Sequence, residues 1–153
     1  MFEVTQAQWY NVMSNSPSAH AGNNAYPVEQ VSFANVRGSI VGTNWPSSHD
    51  VDGTSFLGKV RTRTGLSCFD LPTEAQWECF CRAGTSSFYY DGVSVGSGDT
   101  NVLKTLAWYA DNSGGVTHAV GGKIPNAWGL YDTIGNVMVW CLDYWDGSTA
   151  LSG

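Results

Sequence analysis

The chain has 153 residues, a length that suits one domain and lets roughly two thirds of the unfolded surface be buried. Hydrophobic residues make up 42% and charged residues 13%, with 18 Gly and 7 Trp, a mix that excludes a disordered chain or a helical bundle and points to a loop-rich globular domain. The net charge is −6 and only Lys59, Arg61 and Arg63 cluster, which excludes a nucleic-acid footprint, and no apolar run approaches the roughly 18 residues of a membrane span.

The first ten residues, MFEVTQAQWY, lack the basic start and apolar stretch of a signal peptide. VTQAQW at 4–9 has the capping-box pattern: Thr5 is set to accept from the Gln8 amide, and Gln8 to reach back to the Thr5 amide. Val4 and Trp9 stand at the hydrophobic-staple spacing, and Trp9, Val12 and Met13 share a face of the predicted helix. SNSPSAHAGNNAYP (14–27) reads as a polar loop broken by Pro17, Gly22 and Pro27. VEQVSFANV (28–36) reads as a short strand leading into a helix capped by Ser32, and GTNWPSSHDVDGTS (42–55) as loop. SFLGKVRTRTG (55–65) predicts a short helix closed by Gly65.

PTEAQW at 72–77 echoes the first capping box with Thr73 and Gln76, and Trp77, Phe80 and Cys81 take the offsets of the earlier stripe. The residues between the two segments do not repeat, so the echo is convergent capping. Segments 86–100 and 111–122 are Gly-rich and irregular, and VMVW (137–140) is the buried-strand candidate. In NAWGLYDTIGNVMVWCLDYW (126–145), Trp128, Tyr131 and Trp140 are expected in the core, whereas Tyr144 and Trp145 follow the strand and are the candidate ligand contacts. Helices and short strands between long loops give an α+β expectation for one domain of residues 1–153.

Candidate chemistry is thin. Cys68, Cys79, Cys81 and Cys141 form no disulfide or zinc pattern and read as buried or free thiols. His20, His49 and His118 are far apart in sequence. His49, Asp50 and Asp52 are read as a solvated loop rather than a polar site. No Ser-His-Asp order, phosphate loop or dinucleotide motif is present.

Four segments in order resemble the formylglycine-generating-enzyme family, also called the sulfatase-modifying-factor domain. They are EVTQAQW (3–9), PVEQVSF (27–33), LPTEAQWE through CRAGT (71–85) and PNAWGLYDTIGNVMVWCLDYW (125–145). DNSGGVTHAVGGKIPNAWGLYD (111–132) resembles its bacterial branch. The resemblance implies a fold related to C-type lectins, with little regular secondary structure and many ordered loops. It places Thr117-His118 in a family loop, with a structural hydrogen-bonding role for His118.

The resemblance also implies chemistry. Such enzymes oxidise a sulfatase cysteine to formylglycine with molecular oxygen and a copper(I) ion held by two cysteines, soft donors suited to that metal. None of the four cysteines here matches that pair, which in the family follows the Trp-rich strand. The chain is therefore expected to be short at both ends, with copper bound only if a further C-terminal segment supplies the cysteines. Cys81 resembles a family cysteine that pairs with a C-terminal partner in some members, and Cys79 replaces a residue that is usually aromatic.

The family further implies calcium beside the Trp-rich strand. Carried over, its ligands are Asp132 and the carbonyls of Gly135 and Val137, while Val139 stands where a Glu supplies a charged oxygen, a loss that weakens the site. The alternative for Asp132 is to cap the Gly135 turn by accepting backbone amides. Two functions follow. One is a domain of this enzyme family without its catalytic pair. The other is a lectin-like binding or variable display module, as in the variable proteins of diversity-generating retroelements, with Tyr144, Trp145 and the Gly-rich loops as its surface.

Overall fold

The computed structural model describes residues 1–38, 48–92 and 99–143. Five short helices stand in it: α1 (Gln6–Met13), α2 (Phe33–Val36), α3 (Phe56–Thr64), α4 (Glu74–Arg82) and α5 (Thr100–Leu106). The described residues hold no strand, only isolated bridges, Thr5 with Pro27 (antiparallel) and Trp108 with Gly135 (parallel). The helical part of the α+β expectation is therefore seen, and loops carry the rest.

The helices form where local signals agree. Thr5 accepts the Gln8 amide at 3.2 Å and Gln8 Oε1 accepts the Thr5 amide at 2.9 Å, satisfying two donors that the helix leaves without partners. Ser32 and Asn35 close the same box before α2. Thr73 and Gln76 repeat it before α4, at 3.1 and 2.9 Å. Ser55 caps α3 and Gly65, at φ +71°, ends it in the left-handed region. The sequence reading overlooked α5, which Asp99 caps by accepting the Asn101 and Val102 amides.

The chain folds as two compact units. Unit one comprises Met1–Gln30 and Cys79–Met138; unit two comprises Val31–Glu78 and Val139–Gly153. The core of unit one is built from Trp9, Pro27, Cys81, Ala83, Tyr89, Tyr90, Leu106 and Ala107, all buried. Gln6 holds the loop after α1 by donating from Nε2 to the carbonyls of His20 and Pro27. Among the described residues of unit two, Leu57 and Leu142 are the buried apolar side chains, beside the buried Arg37 and Ser55. There α3 approaches the preceding loop so closely that a Cβ on Gly58 would lie 2.0 Å from the Asp52 carbonyl oxygen, so glycine is required.

Four expectations are corrected. VMVW (137–140) is not a buried strand: Gly135 and Asn136 have φ of +89° and +60° just before it, and Met138 is 97% exposed. Positive φ interrupts the extended backbone a ladder needs. VEQV (28–31) forms no strand either, Gln30 having φ +61°. Trp128 and Trp140 are not core, at 54% and 45% exposed. The aromatic stripe of α4 also divides, with Cys81 buried and Phe80 on the surface.

Candidate functional site

In unit one the loop 126–137 is held by side-chain amides in place of a sheet. Asn126 is 4% exposed. Its Oδ1 accepts the Trp128 and Leu130 amides at 3.0 and 3.1 Å, and its Nδ2 donates to the Phe80 and Cys81 carbonyls at the end of α4. All four hydrogen-bonding positions of that amide are thus spent on backbone. Trp128 rides on the turn with its ring outward.

Asn136 does the same at the other end of the loop. Its Oδ1 accepts the His118 amide at 3.0 Å, and its Nδ2 donates to the His118 carbonyl and to Glu3 Oε2 at 3.1 and 2.9 Å. Glu3 Oε1 accepts the Val137 amide at 3.3 Å. A Cβ on Gly135 would lie 2.2 Å from the Trp108 carbonyl oxygen. His118 stacks on Trp108 at 3.7 Å, and Lys123 Nζ lies 3.6 Å from the same ring centre. Two groups that close to one centroid must take opposite faces, so Trp108 is sandwiched. His118 also pairs with the Ser113 carbonyl at 2.9 Å, the structural role expected of it.

Asp132 is 3% exposed with φ +55°. Its Oδ2 accepts the Gly121 amide at 2.6 Å, so the amide it captures lies on the neighbouring loop. Burial and then the charge of Asp132 push the Glu3 carboxyl up to about 8, against the hydrogen bonds from Asn136 and Val137. The calcium positions Asp132, Gly135 and Val137 fall within this one turn, and Val139 brings no side-chain oxygen. The donor set is one carboxylate and two carbonyls where calcium takes six to eight oxygens. These three oxygens fall short of that number. Among the described residues no group of three or more His, Cys, Asp or Glu is placed to hold a metal.

In unit two Trp140 donates from Nε1 to the Val31 carbonyl at 3.0 Å and meets Phe33 edge-on at 6.0 Å. Its indole N–H needs a partner, and the partner it finds is at the surface. His49, Asp50 and Asp52 do not converge. Asp50 accepts from Ser48, Asp52 from Thr54, and His49 Nδ1 pairs with Asp70 Oδ2 at 3.1 Å. Asp70 also receives both prongs of Arg37, an ion pair the sequence reading did not find. Tyr144 and Trp145 lie outside the described residues. None of the four cysteines is in a disulfide, with Cys68 and Cys79 exposed and Cys81 buried. Burial, with Asp143 and Glu74 nearby, pushes the Cys141 thiol up.

Residues 1–152 match the family FGE-sulfatase, described as the sulfatase-modifying factor enzyme 1-like domain. The chain is 28% identical over 172 residues to the chaperone protein LppX of Paenibacillus barcinonensis, covering 94% of this chain and 60% of LppX. It is 34% identical over 82 residues to the formylglycine-generating enzyme of Thermomonospora curvata, covering 49% of this chain and 27% of that enzyme. Among solved structures, Treponema denticola variable protein 1 matches with a TM-score of 0.67 and 28% identity, covering 91% of this chain and 59% of that one. The chain thus spans 60% or less of each of these proteins. No helix among the described residues is long and apolar enough to cross a membrane.

Proposed function

The chain belongs to the sulfatase-modifying factor enzyme 1-like domain family, and from that premise we propose that it is a non-catalytic binding module, one domain of residues 1–153, that recognises polypeptide. The observation that carries this reading is the outward placement of large apolar side chains. Within unit one Phe88, Ile124 and Trp128 are 58%, 55% and 54% exposed. Contiguous apolar surface marks interaction sites, and Ile124 and Trp128 stand four residues apart on one stretch of chain. The similarity to a protein named a chaperone and to one named a variable protein supports binding duty. Tyr144 and Trp145 are proposed as further ligand contacts on the strength of their sequence alone.

Oxidation of a cysteine by this family's route needs a pair of copper-binding thiolates. None of Cys68, Cys79, Cys81 and Cys141 stands at those positions, and Cys141 is disfavoured as a thiolate. The test gives the 153-residue chain copper(I), oxygen and a sulfatase-type cysteine peptide. The expected peptide mass is that of unchanged cysteine. Formylglycine above a no-protein control would overturn the reading.

A calcium ion at the Asp132 turn is proposed alongside, held by the Asp132 carboxylate and the carbonyls of Gly135 and Val137. The buried carboxylate of Asp132, at 3% exposed, supports it, because a cation beside it offsets the cost of burying that charge. Bound calcium would brace the turn.

A further inference from the structure

Unit one contains a cavity of about 580 Å3 between α5 and the loop 124–127, within the roughly 300–1,000 Å3 range of ligand pockets. Its apolar walls are Val102 and Leu106 from α5, Ile124, Pro125 and Ala127 from the loop, and Tyr90. The Tyr90 hydroxyl bonds the Leu106 and Ile124 carbonyls at 3.1 and 2.8 Å. That one group ties helix and loop together, so the cavity is formed before any ligand arrives.

Besides Asn126, whose amide is spent on backbone, the lining holds Asp91, Asn101 and Thr105. Asn101 and Thr105 stand four apart on α5 and so share a face. Thr105 Oγ1 donates to the Val102 carbonyl at 2.7 Å, which leaves its lone pairs to accept. Asp91 is an acceptor only. A carboxylate has about four lone-pair sites, so its engagement within the chain leaves room for another donor. Asn101 caps onto Asp99 with its backbone N–H, and its side-chain amide offers both a donor and an acceptor. Acceptors therefore outnumber donors in the lining, and one of them is an acid.

The two lysines nearby do not reverse that balance. Lys123 Nζ donates to the Lys104 carbonyl at 2.6 Å and lies over the Trp108 ring. Residues 101, 102, 105 and 106 of α5 line the cavity. At about 3.6 residues per turn, position 104 lies about 130° round the helix from the middle of that face. A carboxylate or phosphate ligand would meet Asp91 and few donors, whereas an amine or alcohol meets acceptors.

We infer that this cavity binds a small molecule whose apolar body ends in a hydrogen-bond-donating, non-anionic group, an amine or an alcohol. The apolar walls take the body, and Asp91, Asn101 and Thr105 orient its end, the pattern of a few placed polar groups in an apolar pocket. This goes beyond the polypeptide reading given above and stands without it.

The test follows backbone amide shifts of the full chain titrated with phenethylamine, phenethyl alcohol, phenethyl methyl ether and phenylacetate, which share a ring and differ at the end. The amine and the alcohol should give saturable shifts centred on Val102, Leu106 and Ala127. The ether, which cannot donate, and phenylacetate, which repels Asp91, should each bind about tenfold more weakly. Whichever of amine and alcohol binds more tightly names the source of the donor. Asp91→Asn should narrow the gap between amine and phenylacetate. Thr105 is exposed on α5 at the cavity, so Thr105→Trp should plug the mouth and weaken the amine about tenfold with thermal midpoint retained. Tyr10→Ser, changed at a residue 57% exposed on α1, should leave binding unaltered.

Ether or phenylacetate binding as tightly as the amine and the alcohol overturns the donor assignment. Shifts centred elsewhere, or binding that Thr105→Trp leaves unchanged, overturn the cavity. Absence of saturable shifts from both amine and alcohol in the folded wild-type chain overturns the whole inference. None of these outcomes touches the binding-module reading, which falls instead on formylglycine formation.

Discussion

Arg37 and Asp70 form a two-pronged ion pair in unit two, Nε to Oδ1 at 2.8 Å and Nη2 to Oδ2 at 3.1 Å, with side chains 4% and 9% exposed. His49 and Arg61 approach the same carboxylate at 3.1 and 3.5 Å. The network stands in the unit that holds the buried Leu57 and Leu142. Removing one partner of a buried pair leaves the other charge uncompensated, so Arg37→Ala should cost about 3–5 kcal/mol in urea unfolding. A loss below about 1 kcal/mol would make the pair a surface ornament.

The same pair sets a pH dependence. Burial pushes the Asp70 carboxyl up, but hydrogen bonds from Arg37, the Leu71 amide and His49, with the Arg37 charge, outweigh it and hold the group below its ordinary 3.8. A carboxyl lowered in the folded state contributes stability that is complete above its unfolded value and is lost as pH falls through its folded value. Wild-type stability should therefore drop more steeply below about pH 4 than that of Asp70→Asn. Parallel curves in that window would remove Asp70 from the account.

Trp140 illustrates how exposure changes an energetic expectation. A fully buried Trp costs about 3–5 kcal/mol when cut to Ala. At 45% exposed, with its Nε1 on the Val31 carbonyl and its edge against Phe33, Trp140→Ala should cost about 1.5–2.5 kcal/mol, half of that. A loss above about 3 kcal/mol in chemical denaturation would return the ring to the core.

Gly135 gives the sharpest steric prediction. Its φ is +89°, and an added Cβ would stand 2.2 Å from the Trp108 carbonyl oxygen, a backbone atom that cannot swing aside. Gly135→Ala should cost at least about 2 kcal/mol. A thermal midpoint equal to wild type would show that the turn is not packed as described.

Calcium linkage tests the Asp132 turn. A weak site with Kd on the order of 0.1–1 mM should add about 1.4–2.7 kcal/mol at 10 mM calcium. Asp132→Asn, which tolerates positive φ, should lose that gain while folding normally without calcium. An equal gain in the variant would place any calcium effect elsewhere.

What could be read from the residues alone was what acts over a few positions. Thr5 with Gln8, Thr73 with Gln76, Ser32 before α2 and Gly65 after α3 are written within one turn of chain, and each has its expected partner. Arg37 with Asp70, Asn126 with Phe80 and Glu3 with Asn136 join residues 33, 46 and 133 apart, and no periodicity announces such pairs. The aromatic run misled for a related reason. Composition says that Trp128 and Trp140 are apolar, but the side they face is set by Asn126, Gly135 and Asn136, whose turns override alternation. The helix α5 did have a local signal, Asp99 as cap with Val102 and Leu106 four apart, and it was lost among the glycines that precede it.

The two amides that stake down loop 126–137 have a consequence for how this protein tolerates change. Asn126 and Asn136 grip backbone atoms almost exclusively, and backbone is common to every amino acid. A loop moored in that way takes its course from its stakes, so outward positions such as Trp128 are free to be rewritten one after another while the scaffold stands. In the language of protein engineering, the chain carries a ready-made grafting site, with two asparagines as its fixed ends and a randomised library as its natural cargo.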